Sequence, residues 1–157
     1  MHAEPQQEHQ WLQQLLGDWA FETEATMEPG KPPQKFSGTE SVRSLGGVWV
    51  ICEGQGEMPG GGTGHTIMTL GYDPAKKRFV GTFIGSMMTN MWLYDGELVG
   101  NVLTLDTVGP SFSGEGLTKY QDIIEVKSRD HRVLSSRTLG ADGEWQHFMT
   151  ANYRRTK

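Results

Sequence analysis

Cysteine is almost missing from this chain of 157 residues, where Cys52 stands alone. A single thiol closes no internal disulfide, which excludes a disulfide-stapled scaffold and fits a reducing compartment. It lies in the apolar run Val48-Trp49-Val50-Ile51-Cys52 and reads as a buried, inert thiol rather than a nucleophile. Long hydrophobic runs are missing too: none approaches the roughly 18 residues of a membrane-spanning helix. The start, Met1-His2-Ala3-Glu4-Pro5, lacks the basic-then-apolar order of a secretion signal, so a cytoplasmic protein is expected. There is no basic excess either. Lys and Arg number 14 against 19 Asp and Glu, a net charge of -5, which repels phosphate backbones and argues against a nucleic-acid partner. The cluster Lys76-Lys77-Arg78 follows the turn signal Asp73-Pro74 and reads as a solvated hairpin tip. With no repeats, low-complexity tracts or linkers, residues 1–157 are expected to form one domain, large enough to bury roughly 70% of its unfolded surface.

The usual motifs of catalysis are absent as well. His2, His9, His65, His131 and His147 show no metal-ligand spacing. The glycines at 54, 56, 60, 61, 62 and 64 precede no helix and no phosphate-binding lysine, so they predict a flexible hairpin able to gate a mouth. Ser111 and Ser113 lie in a glycine-rich loop without the Gly-x-Ser-x-Gly elbow of hydrolases. The sequence therefore assigns no catalytic residues, no metal and no cofactor.

What is present is strand periodicity. Residues 5–16 predict a short helix, with Trp11, Leu12, Leu15 and Leu16 on one face and Gly17 as its stop. From Asp18 the period changes to two: Trp19, Phe21, Thr23, Ala25 and Met27 alternate with Ala20, Glu22, Glu24, Thr26 and Glu28. Further strands are expected at 35–45, 47–57, 65–72, 77–86, 89–98, 102–108, 117–127, 131–139 and 145–155. The connections are tight and turn-forming, too short for crossover helices, so parallel α/β architecture is excluded. The prediction is an all-β fold: a closed antiparallel up-and-down barrel of about ten strands over 18–155, capped by the helix.

Gly17-Asp18-Trp19 just after a helix, with an arginine on the last strand, resembles the calycin superfamily of lipocalins, fatty-acid-binding proteins and nitrobindins. The whole chain resembles a bacterial lipocalin-like family described as a domain of unknown function, through Leu16-Gly17-Asp18-Trp19, Gly71-Tyr72-Asp73, Trp92-Leu93-Tyr94-Asp95-Gly96 and Phe148-Met149-Thr150-Ala151-Asn152-Tyr153-Arg154-Arg155. The resemblance implies that Trp19 plugs one end of the barrel beneath Arg154 or Arg155. Two features of the relatives are altered. Tyr153-Arg154-Arg155 stands in place of the Arg-x-Tyr with which fatty-acid-binding proteins hold a carboxylate, and the nitrobindin haem motif lacks its second and third glycines after Trp19.

A barrel lumen is a place for a small apolar or amphipathic ligand, and Phe21, Trp92, Tyr94, Arg137, His147 and Met149 are the residues expected to line it. His147 is placed inside by its phase with Trp145, Met149 and Tyr153. Two alternatives rest on the same histidine: an isomerase or hydrolase-like enzyme pairing His147 with Asp122 or Tyr94, and a haem or gas binder ligated by His147. The run of Met87, Met88 and Met91 beside Trp92 suits a pocket that adapts to varied apolar guests. A homodimer is left open.

Overall fold

The computed structural model describes residues 3–26 and 30–157. The expected places of Met27 and Glu28 and the break at Pro29, like His2, fall outside the described residues. One helix, α1 (Gln7–Gln13), precedes ten strands: β1 (Gly17–Ala25), β2 (Gln34–Leu45), β3 (Trp49–Glu57), β4 (Thr63–Asp73), β5 (Arg78–Gly85), β6 (Trp92–Val99), β7 (Val102–Pro110), β8 (Leu117–Ser128), β9 (His131–Leu139) and β10 (Trp145–Arg155). Each strand pairs antiparallel with its neighbour in sequence, and β10 returns to β1 in a register running from Trp19 opposite Arg155 to Ala25 opposite Met149. The sheet is thus a closed up-and-down barrel with no free edge.

Alternation drives the closure. On β7, Leu103, Leu105, Thr107 and Gly109 are buried, while Asp106, Val108 and Pro110 face out. On β1, Trp19, Phe21, Thr23 and Ala25 face inward and Glu24 projects outward. The outer face carries charge ladders: Arg78 meets Asp95 at 2.5 Å, Asp106 at 3.6 Å and Glu97 at 3.7 Å across the β5–β6–β7 surface.

The helix is shorter than the expected 5–16. After Gln13 the backbone tightens, with Leu15 N–H donating to Leu12 O at 3.0 Å and Leu16 N–H to Gln13 O at 3.2 Å. This turn drives Leu15 into the core beside Leu12, both almost wholly buried, each contributing about 1.5–3 kcal/mol by burial. His9 fastens the helix to β4. Its Nδ1 accepts from Gln6 N–H at 2.8 Å and its Nε2 donates to Tyr72 O at 2.9 Å, so both ring nitrogens are used.

The plug implied by the resemblance is present, and it uses Arg155. Trp19 Nε1 donates to Leu15 O at 2.9 Å, and the Arg155 guanidinium carbon stands 4.2 Å from the Trp19 ring centre. Arg155 also donates to the carbonyls of Gln14 (2.9 Å) and Leu16, satisfying backbone acceptors left open after the helix, and to that of Arg129 (3.0 Å) between β8 and β9. Gly17 makes this approach practicable: its φ is +120°, and a Cβ there would lie 2.4 Å from Arg155 Nη1. Arg154 faces outward.

Candidate functional site

The lumen divides into three levels. Its floor, against the helix, is solid: Leu12, Leu15, Val50, Leu70, Phe79, Leu103 and Leu105 have almost no accessible surface. Above it lies a polar level, and above that an aromatic and methionine-rich mouth at the end opposite the helix.

The polar level holds two networks. In the first, Arg132 on β9 donates to the Glu40 carboxylate on β2. The side chains are only 4% and 11% exposed. The Arg132 guanidinium carbon also sits 3.9 Å from the ring centre of Tyr153 and 4.7 Å from that of Trp19, so aromatic faces compensate part of its lost hydration. Arg132 Nε is buried without a partner. Burial pushes up the Tyr153 hydroxyl and the Cys52 thiol, and Glu40 adds to both shifts. Cys52 is therefore an unreactive thiol, as its apolar run predicts.

In the second network, Asp122 on β8 accepts from Tyr94 Oη on β6 and, at 2.6 Å, from Ser136 Oγ on β9. Burial raises the Asp122 carboxyl above its ordinary value, partly offset by the Ser136 and Tyr94 hydrogen bonds. The Tyr94 hydroxyl rises well above its usual range, through burial first and Asp122 second. Asp122 also retains accessible surface, although its hydrogen bonds point it into the barrel and its inward neighbours Tyr120 and Ile124 are buried. Facing inward, it turns side-chain surface towards the lumen. Phe21, Phe83, Leu134 and Met149 share this half-buried state while packing against the core.

Towards the mouth, a hollow of about 190 Å3 is lined by Phe21, Thr23, Phe36, Thr66, Met58 and Met87, among others. Phe21 lies flat across two strands that offer no side chains: a Cβ on Gly38 would stand 2.4 Å from its ring, and one on Gly56 3.1 Å. The other side of the mouth is an aromatic cluster in which Phe112 packs on Phe148 at 5.0 Å and on Tyr120 at 5.9 Å, with Trp92 5.0 Å from Tyr120. Trp92 Nε1 also donates to Met88 Sδ at 3.3 Å. The loop at 111–116 is folded on itself by Ser111 N–H to Gly116 O (3.1 Å) and Ser111 Oγ to Ser113 Oγ (2.6 Å). The glycine-rich gate is shorter than expected. Gly54, Gly56 and Gly64 belong to β3 and β4, which leaves a tight turn closed by Met58 N–H to Gly62 O at 3.1 Å.

Of the six residues expected to line the lumen, Phe21, Trp92, Tyr94 and Met149 do face it. Arg137 and His147 do not. A bulge in β10 between His147 and Met149 inserts Phe148 and reverses the phase, so His147 pairs with Arg137 on the outer face. His147 is exposed and shares a 2.7 Å hydrogen bond with Thr150 Oγ1. Arg137 lies over the Trp145 ring at 5.0 Å and donates to Gln121 Oε1 at 2.7 Å. Both the enzyme and the haem alternatives thus lose the histidine they rested on, since His147 reaches neither Asp122 nor Tyr94. None of the described histidines faces the lumen, and no group of three or more potential metal ligands is found among the described residues.

Sequence reasoning missed Glu40 and Arg132 as interior polar residues. The signal lay in phase: Glu40 shares a face with Phe36 and Val42, and Arg132 with Leu134 and Ser136.

A second concavity lies outside the barrel. β6 and β7 pair only from Val99–Val102 to Asp95–Asp106, and beyond that they part. A groove of about 630 Å3 follows the parting, with Met91, Leu93 and Val108 exposed along it. At its base the buried Thr107 hydroxyl has no partner.

A family model described as "Protein of unknown function (DUF1579)" matches residues 4–155. No curated protein matches the chain. Among solved structures the barrel is similar to Rv2717c from M. tuberculosis, with a TM-score of 0.63, 14% identity and 98% of this chain and 100% of that one covered. It is also similar to EF1p2_mFAP2b bound to DFHBI (TM-score 0.53, 13% identity, 94% and 98% covered). A de novo designed fluorescence-activating β-barrel gives a TM-score of 0.51 at 12% identity, with 92% and 95% covered. At these identities the likeness concerns the fold. No helix is long and apolar enough to cross a membrane among the described residues.

Proposed function

We propose that this chain, which belongs to the DUF1579 family of proteins of unknown function, is a single-domain lipocalin-like binding protein that holds a small, mostly apolar molecule in its lumen. The observation that carries this reading is the accessible surface kept by inward-facing Asp122 and Met149 inside a closed sheet. The hollow of about 190 Å3 at the mouth is below the roughly 300–1,000 Å3 of drug-sized sites, which points to a compact guest. Methionines at positions 58, 68, 87 and 149 line or border the space, and their unbranched side chains adjust to the shape of what enters. The similar structure of EF1p2_mFAP2b bound to DFHBI supports the capacity of this architecture to hold a guest. The Trp19–Arg155 closure supports kinship with the calycins. The free, buried Cys52 fits the reducing cytoplasm of a bacterium.

Titration with the neutral fluorophore N-phenyl-1-naphthylamine tests this function. Wild-type protein should enhance its emission saturably at one site. Thr66→Phe, which fills the hollow, should weaken binding at least tenfold while the protein stays folded by circular dichroism. No enhancement by the wild type, or equal binding by the filled variant, would refute a lumen site.

A further inference from the structure

Resting on the lumen reading above, we propose that the guest carries a protonated amine, seated on the Asp122 carboxylate between Tyr94, Ser136 and Tyr153. The polar level holds two acids and one base, and the base is already engaged. Arg132 is paired with Glu40 and covered by the Tyr153 and Trp19 rings. Among the described residues, Asp122 receives two hydroxyl donors and no cationic side chain, so once ionised it leaves one uncompensated negative charge in the barrel. Buried charges persist when a partner of opposite sign is supplied, and here the protein supplies none.

The geometry leaves room for that partner. Tyr94 and Ser136 each take one lone pair of the carboxylate, which has about four acceptor sites. The remaining ones are left for a further donor. Tyr153, only 6% exposed, brings a second hydroxyl to the same level. Tyr153 and Asp122 interact electrostatically within the same level, so the hydroxyl can accept a second N–H from an ammonium. The rings of Tyr153 and Phe21, 5.2 Å apart, add aromatic faces of the kind that attract cations. A carboxylate guest would instead meet Glu40 and Asp122 with Arg132 already taken. A hydrocarbon would leave the Asp122 carboxylate uncompensated.

Displacement of N-phenyl-1-naphthylamine by three compounds of similar shape tests the proposal: 2-phenylethylamine, 2-phenylethanol and 3-phenylpropionate. The amine should displace the probe at a concentration at least about tenfold lower than the alcohol, equivalent to about 1.4 kcal/mol, with the carboxylate weakest. Asp122→Asn should bring amine and alcohol within about threefold of each other. Should that variant not fold, the wild type supplies the same test. The amine stays protonated in acid, so its advantage should vanish as pH falls through the elevated value of Asp122. The groups facing Asp122 there are Tyr94, Ser136 and Tyr153, while Glu40, Arg132 and Cys52 face Tyr153. Equal displacement by amine and alcohol, strongest displacement by the carboxylate, or an amine advantage that persists in acid overturns the proposal while leaving lumen binding intact. Failure of the probe to bind at all overturns both.

Discussion

Removing either partner of the Glu40–Arg132 pair should destabilise the barrel far more than removing both. Arg132 is 4% exposed and Glu40 11%, so neither charge can be rehydrated in place when the other is lost. Breaking a buried pair of this kind costs about 3–5 kcal/mol. For a chain of this length each kcal/mol moves Tm by about 2–4 °C, so Glu40→Gln and Arg132→Met should each melt about 6–20 °C below wild type. The double variant replaces the pair by an amide and a thioether of similar bulk. It loses the contacts of Arg132 over Tyr153 and Trp19, together about 1–4 kcal/mol, but leaves no stranded charge. Urea unfolding of all four proteins, followed by far-ultraviolet circular dichroism, gives the coupling energy through a double-mutant cycle. It should be at least about 3 kcal/mol. A coupling below about 1 kcal/mol, the value of an exposed pair, would refute the burial argument and with it the description of the polar level.

Other consequences are as direct. The elevated Asp122 carboxyl gives a stability contribution present below the ordinary aspartate value and lost as pH rises through the elevated one. Asp122→Asn should therefore gain on wild type in urea midpoint as pH is raised, and parallel profiles would contradict the shift. Cys52, buried and held above the usual thiol range, should resist Ellman's reagent in the native protein and react once unfolded; rapid native labelling would show an open path to it. Gly38→Ala should cost about 1–3 kcal/mol by overpacking, because its Cβ would lie 2.3 Å from Gln55 O and 2.4 Å from the Phe21 ring; wild-type stability would mean that Phe21 is not seated there.

The barrel was legible because its strands are half-buried: apolar and polar residues alternate wherever one face meets the core, and tight turns leave no alternative pairing order. Strand limits agreed closely, as at β9 (His131–Leu139) and β10 (Trp145–Arg155). The site was less legible for two physical reasons. One residue of bulge in β10 reverses every side chain before it, so Trp145, His147 and Met149 share a phase in the sequence while His147 lies outside the barrel. Interior charges also defeat a hydropathy reading: Glu40 and Arg132 resemble surface residues, and only their pairing across 92 positions shows why both are tolerated inside. Asp122 was named from the sequence as a partner for His147, but its own partners Tyr94 and Ser136 came together only through closure of the sheet.

The most direct test of a hollow barrel is where a bound guest touches the protein. With methionine methyls labelled for NMR, N-phenyl-1-naphthylamine should give intermolecular contacts to Met149, Met87 and Met58 within the barrel mouth and lumen. Contacts confined to Met91 on the outer groove between β6 and β7, with the inner methyls unmoved, would contradict the account.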